Sequence, residues 1–113
     1  MIVVADASPI ICLSRVDGLE LLPGLFGQVV VPPAVRDEIK AGSGGTELLV
    51  ASPWLQVRTV VDQSMVDVLS ASLDLGEASA IALALECQAD AVLIDEHAGR
   101  RLAAQRGLVV VGA

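Results

Sequence analysis

ADAVLIDEHAGRRLAAQRGLVVVG, from Ala89 to Gly112, reads as a strand, a helix and a second strand in succession. Val92 to Ile94 is a short apolar run, and Leu108 to Val111 is another. Both have the length and the aliphatic content of strands buried on two faces. Glu96 to Arg106 between them suits a helix, and Gly107 ends it. A strand, a crossover helix and a strand predict parallel pairing within a layered α/β fold.

The same grammar extends toward the N-terminus. Leu75 to Cys87 is the clearest helix, with Ala78, Ile81, Ala82 and Leu85 at helical spacing. Ser64 to Ser72 reads as a shorter helix. In Trp54 to Val61, Leu55, Val57 and Thr59 alternate with Gln56, Arg58 and Val60, which suits an edge strand. Gly42 to Gly45 (GSGG) reads as a loop between helical pieces. A helix is predicted from about Ala34 to Lys40, after a buried strand at Val29 to Val31 that Pro32-Pro33 stops. Leu19 to Leu22 suits a helical turn before Pro23-Gly24. At the start, VVADASPII (Val3 to Ile11) carries the end of a strand over Ile2 to Ala5. Ser8 is the expected N-cap and Pro9 the expected first turn of a helix that ends near Gly18.

The 113 residues predict one domain over 1–113, and 54% hydrophobic content with 2% aromatic predicts a core of Val, Leu, Ile and Ala. Net charge is −7. An acidic chain is a poor match for nucleic-acid binding through Lys and Arg contacts alone. Cys12 and Cys87 have no CxxC spacing and lie among apolar residues, so both are expected to be reduced core residues of a cytoplasmic protein. The N-terminus has no basic region of the signal-peptide kind, and no apolar run is long enough to span a membrane.

The acids follow one rule. Asp6 lies just past the first strand, Asp95 and Glu96 just past the third. Glu38 is in the helix after the second strand, and Glu77 is in the first turn of the strongest helix. Sites in open α/β sheets form beyond the carboxyl ends of the strands. An isolated carboxylate buried there is costly unless something compensates its charge. A hard cation such as Mg²⁺ does so and suits a set of oxygen donors. Each acid also has an ordinary structural reading. Asp6 and the Asp95-Glu96 pair suit helix caps, Glu77 suits a helix dipole, and Glu38 suits a solvated face. His97 suits a cap or a surface position.

Four segments in this order, ADASPIICL, VPPAVRDEI, LDLGEASAIALALE and ADAVLIDEHAGRRLAAQRGLVVVG, resemble the PIN-domain family, especially short prokaryotic members related to VapC-type toxins. The resemblance covers Ile2 to Gly112. It implies a three-layer α/β/α fold around a central, mostly parallel sheet, with a C-terminal part that is short for this subgroup. It also implies an Mg²⁺- or Mn²⁺-dependent ribonuclease. By position, Asp6, Glu38 and Glu77 match the family's first three acids, and either Asp95 or Glu96 matches the fourth. Asp95 is favoured because it is nearer the strand end. Glu77 stands where many members have Asp, which lengthens that arm.

Implied by the same resemblance is phosphodiester hydrolysis with one or two Mg²⁺ ions, roughly 3.5–4 Å apart when there are two. Ser8 would orient a ligand or hold a phosphate oxygen. Arg100 and Arg101, with Arg106, would contact the RNA backbone, although they also suit a solvated helix face. An antitoxin protein and a second copy in a homodimer are the implied partners beside RNA. A catalytically inactive PIN-like interaction module is the alternative. A phosphoacceptor domain is disfavoured because the sole lysine, Lys40, is in an early helix. A haloacid-dehalogenase-type phosphatase is disfavoured because Ser8 stands where its second aspartate belongs.

Overall fold

The computed structural model describes residues 1–95 and 97–111. Five strands, β1 (Ile2–Ala5), β2 (Gln28–Val31), β3 (Leu55–Val57), β4 (Ala91–Leu93) and β5 (Val110–Val111), form one sheet in the order β3-β2-β1-β4-β5. Every pairing is parallel. Among the described residues, seven helices surround it: α1 (Ala7–Arg15), α2 (Leu21–Phe26), α3 (Pro33–Ala41), α4 (Gly45–Val50), α5 (Gln63–Leu69), α6 (Leu75–Glu86) and α7 (His97–Gln105). The architecture is the three-layer α/β/α with a parallel sheet that the resemblance implies.

The central strands form where β-branched residues accumulate. Val3, Val4, Val29, Val30, Val31 and Val92 are fully buried, as a sheet covered on both faces requires. The chain moves outward from β1 through β2 to β3, then returns to place β4 on the other side of β1. The strand order therefore reverses between β1 and β4, and a crevice opens beyond their carboxyl ends. Helix α6 contacts both strands. It is buried almost all round, from Gly76 to Ala84. Alanines at 78, 80, 82 and 84 keep it slim enough to pack between sheet and neighbouring helices.

Glu86, the last residue of α6, is tied to the loop before α5. Its carboxylate accepts the Val61 N–H at 3.0 Å and the Asp62 N–H at 3.1 Å. Charge-assisted bonds of this kind offset a carboxylate placed at the unfavourable end of a helix dipole. Glu86→Ala is expected to lower stability by about 1 kcal/mol in urea unfolding, because two N–H groups lose their acceptor. An unchanged midpoint would show that solvent replaces the carboxylate without loss.

Several sequence expectations change. Ser8 does not cap α1. The helix starts two residues earlier, at Ala7, because Asp6 is the N-cap and accepts the Ala7 N–H at 2.8 Å. Helix α2 runs through Pro23-Gly24, because proline in a first turn has no intrahelical N–H to lose. Gly45 opens a helix instead of closing a loop. Leu108 to Val111 yields only the two-residue β5, half-buried at the sheet edge. Cys12 is exposed on α1, and Cys87 is half-buried. Both are free thiols, and neither is a core residue. No helix among the described residues is long and apolar enough to cross a membrane.

Candidate functional site

Asp6 occupies the reversal point of the sheet. Its N–H donates to the Leu93 carbonyl at 2.9 Å, which fixes the ends of β1 and β4 together. Its side chain is 3% exposed. Burial pushes its pKa from 3.8 to about 6. The hydrogen bond from the Ala7 N–H pulls it back, and the charges of Glu38, Asp74 and Asp95 push it up further. Its cap role and its place among other acids are one arrangement, so the two readings of Asp6 do not compete.

Glu38 lies in the second half of α3 and reaches across to the first turn of α6. A Cβ placed on Gly76 would be 2.6 Å from Glu38 Oε1, 3.4 Å from Asp6 Oδ1 and 3.6 Å from Asp74 Oδ1. Three carboxylates from three elements thus converge over one glycine at a helix N-terminus. Burial, then the charge of Asp74, raises the Glu38 pKa. The positive end of the α6 dipole partly offsets the repulsion.

Asp74 is the acid that the sequence reading missed. It is the N-cap of α6, accepting the Glu77 N–H at 2.8 Å, while Glu77 Oε1 accepts the Asp74 N–H at 3.3 Å. The signal was present as Asp-x-x-Glu ahead of an apolar run, the signature of a capping box. Glu77 is 5% exposed. Its Oε2 points to the other side, where a Cβ on Gly99 would lie 3.2 Å away. Glu77 therefore bridges the starts of α6 and α7 and stands apart from the group over Gly76.

Asp95 is half-buried just past β4, near enough to raise the Asp6 pKa. Glu96 lies outside the described residues. Ser8 is half-buried in the first turn of α1. Arg100 and Arg101 are exposed on α7, with Arg101 Nη2 3.2 Å from His97 Nε2 one turn earlier. Arg106 is directed elsewhere, its Nη1 3.5 Å from Met65 Sδ on α5.

Among the described residues, no three Asp, Glu, His or Cys side chains stand as a ready-made set around one metal position. The donors are nonetheless of the right kind. Carboxylate oxygens suit a hard divalent cation such as Mg²⁺ or Mn²⁺, and Glu38 is exposed enough to adjust. Burial first, and the charges of neighbouring acids second, raise the pKa of Asp6 and Glu38, and such a cation would offset that cost. A cavity of about 580 Å³ lies away from this edge, between the α1–α2 turn and α4, lined in part by Leu19, Leu48 and Trp54. It contains none of the acids over Gly76, so size does not locate the chemistry here.

A family model described as a PIN domain matches residues 2–113. No curated protein matches the chain significantly.

Proposed function

The chain belongs to the PIN-domain family, and from that premise we propose that it is a metal-dependent ribonuclease that hydrolyses RNA phosphodiester bonds. The observation that supports this most is the placement of buried Asp6 at the reversal point of the sheet, within electrostatic reach of Glu38, Asp74 and Asp95. Asp6, Glu38 and Asp95 would hold Mg²⁺ or Mn²⁺, with Glu77 at the start of α6 beside them and Glu96 the alternative to Asp95 as the fourth acid. A divalent ion supplies Lewis acidity toward a phosphate oxygen and makes water a better nucleophile near neutral pH.

The protein's own groups do the rest. Asp6 is held rigidly by its N–H bond to Leu93 and its cap bond to Ala7. Glu38 comes from a separate helix and completes the edge. Ser8, in the first turn of α1, would orient a ligand. Arg100 and Arg101 would neutralise RNA backbone charge beside the acids. With seven basic residues against fourteen acidic ones, intrinsic RNA affinity should be weak and salt-sensitive. A toxin role with an antitoxin partner, and assembly as a homodimer in the cytoplasm, belong to this proposal.

A second reading, an inactive PIN-like interaction module, is favoured by one observation: no three acids stand as a ready-made metal set among the described residues. Cleavage of a mixed RNA substrate, with Mg²⁺ and then with excess chelator, separates the two. Chelator-sensitive cleavage is expected. Glu38→Gln should cut it by more than the roughly 10- to 100-fold typical of groups that only support a metal ligand. Its thermal midpoint should not fall, since the Glu38 side chain has no hydrogen bond among the described residues and its burial and the charge of Asp74 oppose its ionisation. Cleavage that survives chelation and Glu38→Gln would remove the proposal.

A further inference from the structure

We infer that Gly76 is a positioning residue of the acidic site: its missing side chain is the space that the Glu38 carboxylate occupies. Gly76 is buried in the first turn of α6, with a helical backbone that alanine adopts more readily than glycine. Nothing in its local conformation requires glycine, because its φ is not positive. The reason lies across the helix. A Cβ here would come to 2.6 Å from Glu38 Oε1, closer than real Cβ contacts allow, while Asp6 Oδ1 and Asp74 Oδ1 would remain at ordinary contact distances of 3.4 and 3.6 Å. Only Glu38 must move. It is the flexible end of an exposed side chain, so it can move without disturbing α3.

A methyl group at this position should therefore leave the fold intact and push one carboxylate away from the other two. That distinguishes Gly76 from Gly45, where the obstacle is backbone. The consequence for metal binding rests on the reading of this edge as a metal site; the displacement of Glu38 does not.

The test is Gly76→Ala, compared with wild type by thermal unfolding, by crystal structure and by Mn²⁺ titration calorimetry. The expected result is an unchanged or higher thermal midpoint, a Glu38 carboxylate displaced from Asp6, and Mn²⁺ affinity lowered by about 10- to 100-fold. Adding Glu38→Asp shortens the side chain and withdraws it from the new methyl. The double variant should bind Mn²⁺ more tightly than the product of the two single losses allows. A lowered midpoint with Glu38 unmoved would overturn the inference and make Gly76 a packing residue. If wild-type protein binds no Mn²⁺, the metal reading fails, and the crystal structure alone decides whether Gly76 positions Glu38.

Discussion

Asp6→Asn is expected to stabilise the metal-free protein at neutral pH by about 2–3 kcal/mol while abolishing the proposed binding of divalent cations. The stability figure follows from the shift of Asp6 from 3.8 to about 6, at about 1.4 kcal/mol per pKa unit. The sign is fixed by linkage. A carboxyl whose folded pKa is raised binds its proton more tightly in the native state than in the unfolded chain. Its favourable contribution is complete below 3.8 and is lost as pH rises through about 6. Glu38, also raised, acts in the same direction. Asp62, whose carboxyl is lowered by hydrogen bonds from the Ser64 hydroxyl and the Met65 N–H, acts oppositely, toward the acid side of 3.8.

Asparagine removes the charge but keeps the cap, since its side-chain oxygen also accepts the Ala7 N–H. Urea unfolding in chelator should show wild type gaining stability as pH falls from about 6 toward 3.8, with most of that slope absent in the variant. A wild-type profile flat over this window, or an asparagine variant less stable at neutral pH, would mean that Asp6 is an ordinary helix cap. A buried acid at a strand end that destabilises the empty fold is what a cation-binding site requires of its ligands.

Gly45→Ala is expected to be the most damaging added methyl among the described glycines, at about 3 kcal/mol. Gly45 is buried where α4 begins, and an added Cβ would overlap the Ile39 carbonyl oxygen. It would also lie 2.8 Å from the Ile39 carbonyl carbon and 3.0 Å from Lys40 Cα. These are backbone atoms, so α3 and α4 must separate. Ile39, only 1% exposed, would be dragged from the core, and Glu38 next to it would leave the acidic edge. The neighbouring Gly44 is the control. Its φ of +71° favours glycine, but nothing lies within 4 Å of its Cβ position. Gly44→Ala should cost about 1–2 kcal/mol, the strain of a left-handed conformation. Equal urea midpoints for the two variants would show that α4 shifts freely over α3.

The sequence was most legible where local chemistry and tertiary placement agree. Ile2 to Ala5 and Val29 to Val31 are β-branched runs stopped by Asp6 and Pro32, and the strands begin and end almost there. The periodicity of α6 is likewise local. Some misses are local: the cap of α1 at Asp6, the run of α2 through Pro23-Gly24, and the Asp74 capping box. Others are tertiary. The GSGG stretch looks like a loop, yet Gly45 is there because another backbone passes close by. Cys12 has apolar neighbours in sequence, but helical geometry turns it outward. Leu108 to Val111 is apolar enough for a central strand, yet it pairs on one side only. At the site, Asp6 and Glu38 could be placed near each other from topology alone. That Glu77 faces Gly99 while Asp74 joins the group over Gly76 depends on side-chain direction within one helical turn, which spacing does not encode.

The central claim, that the carboxyl edge of β1 and β4 is built for a divalent cation, is tested most directly by Mn²⁺ titration calorimetry at neutral pH on wild type and Asp6→Asn. The expected result is saturable binding to wild type and none to the asparagine variant, which remains folded. Absence of binding to wild type, or equal binding to both, would contradict the account and leave the acids over Gly76 as helix caps and surface charge.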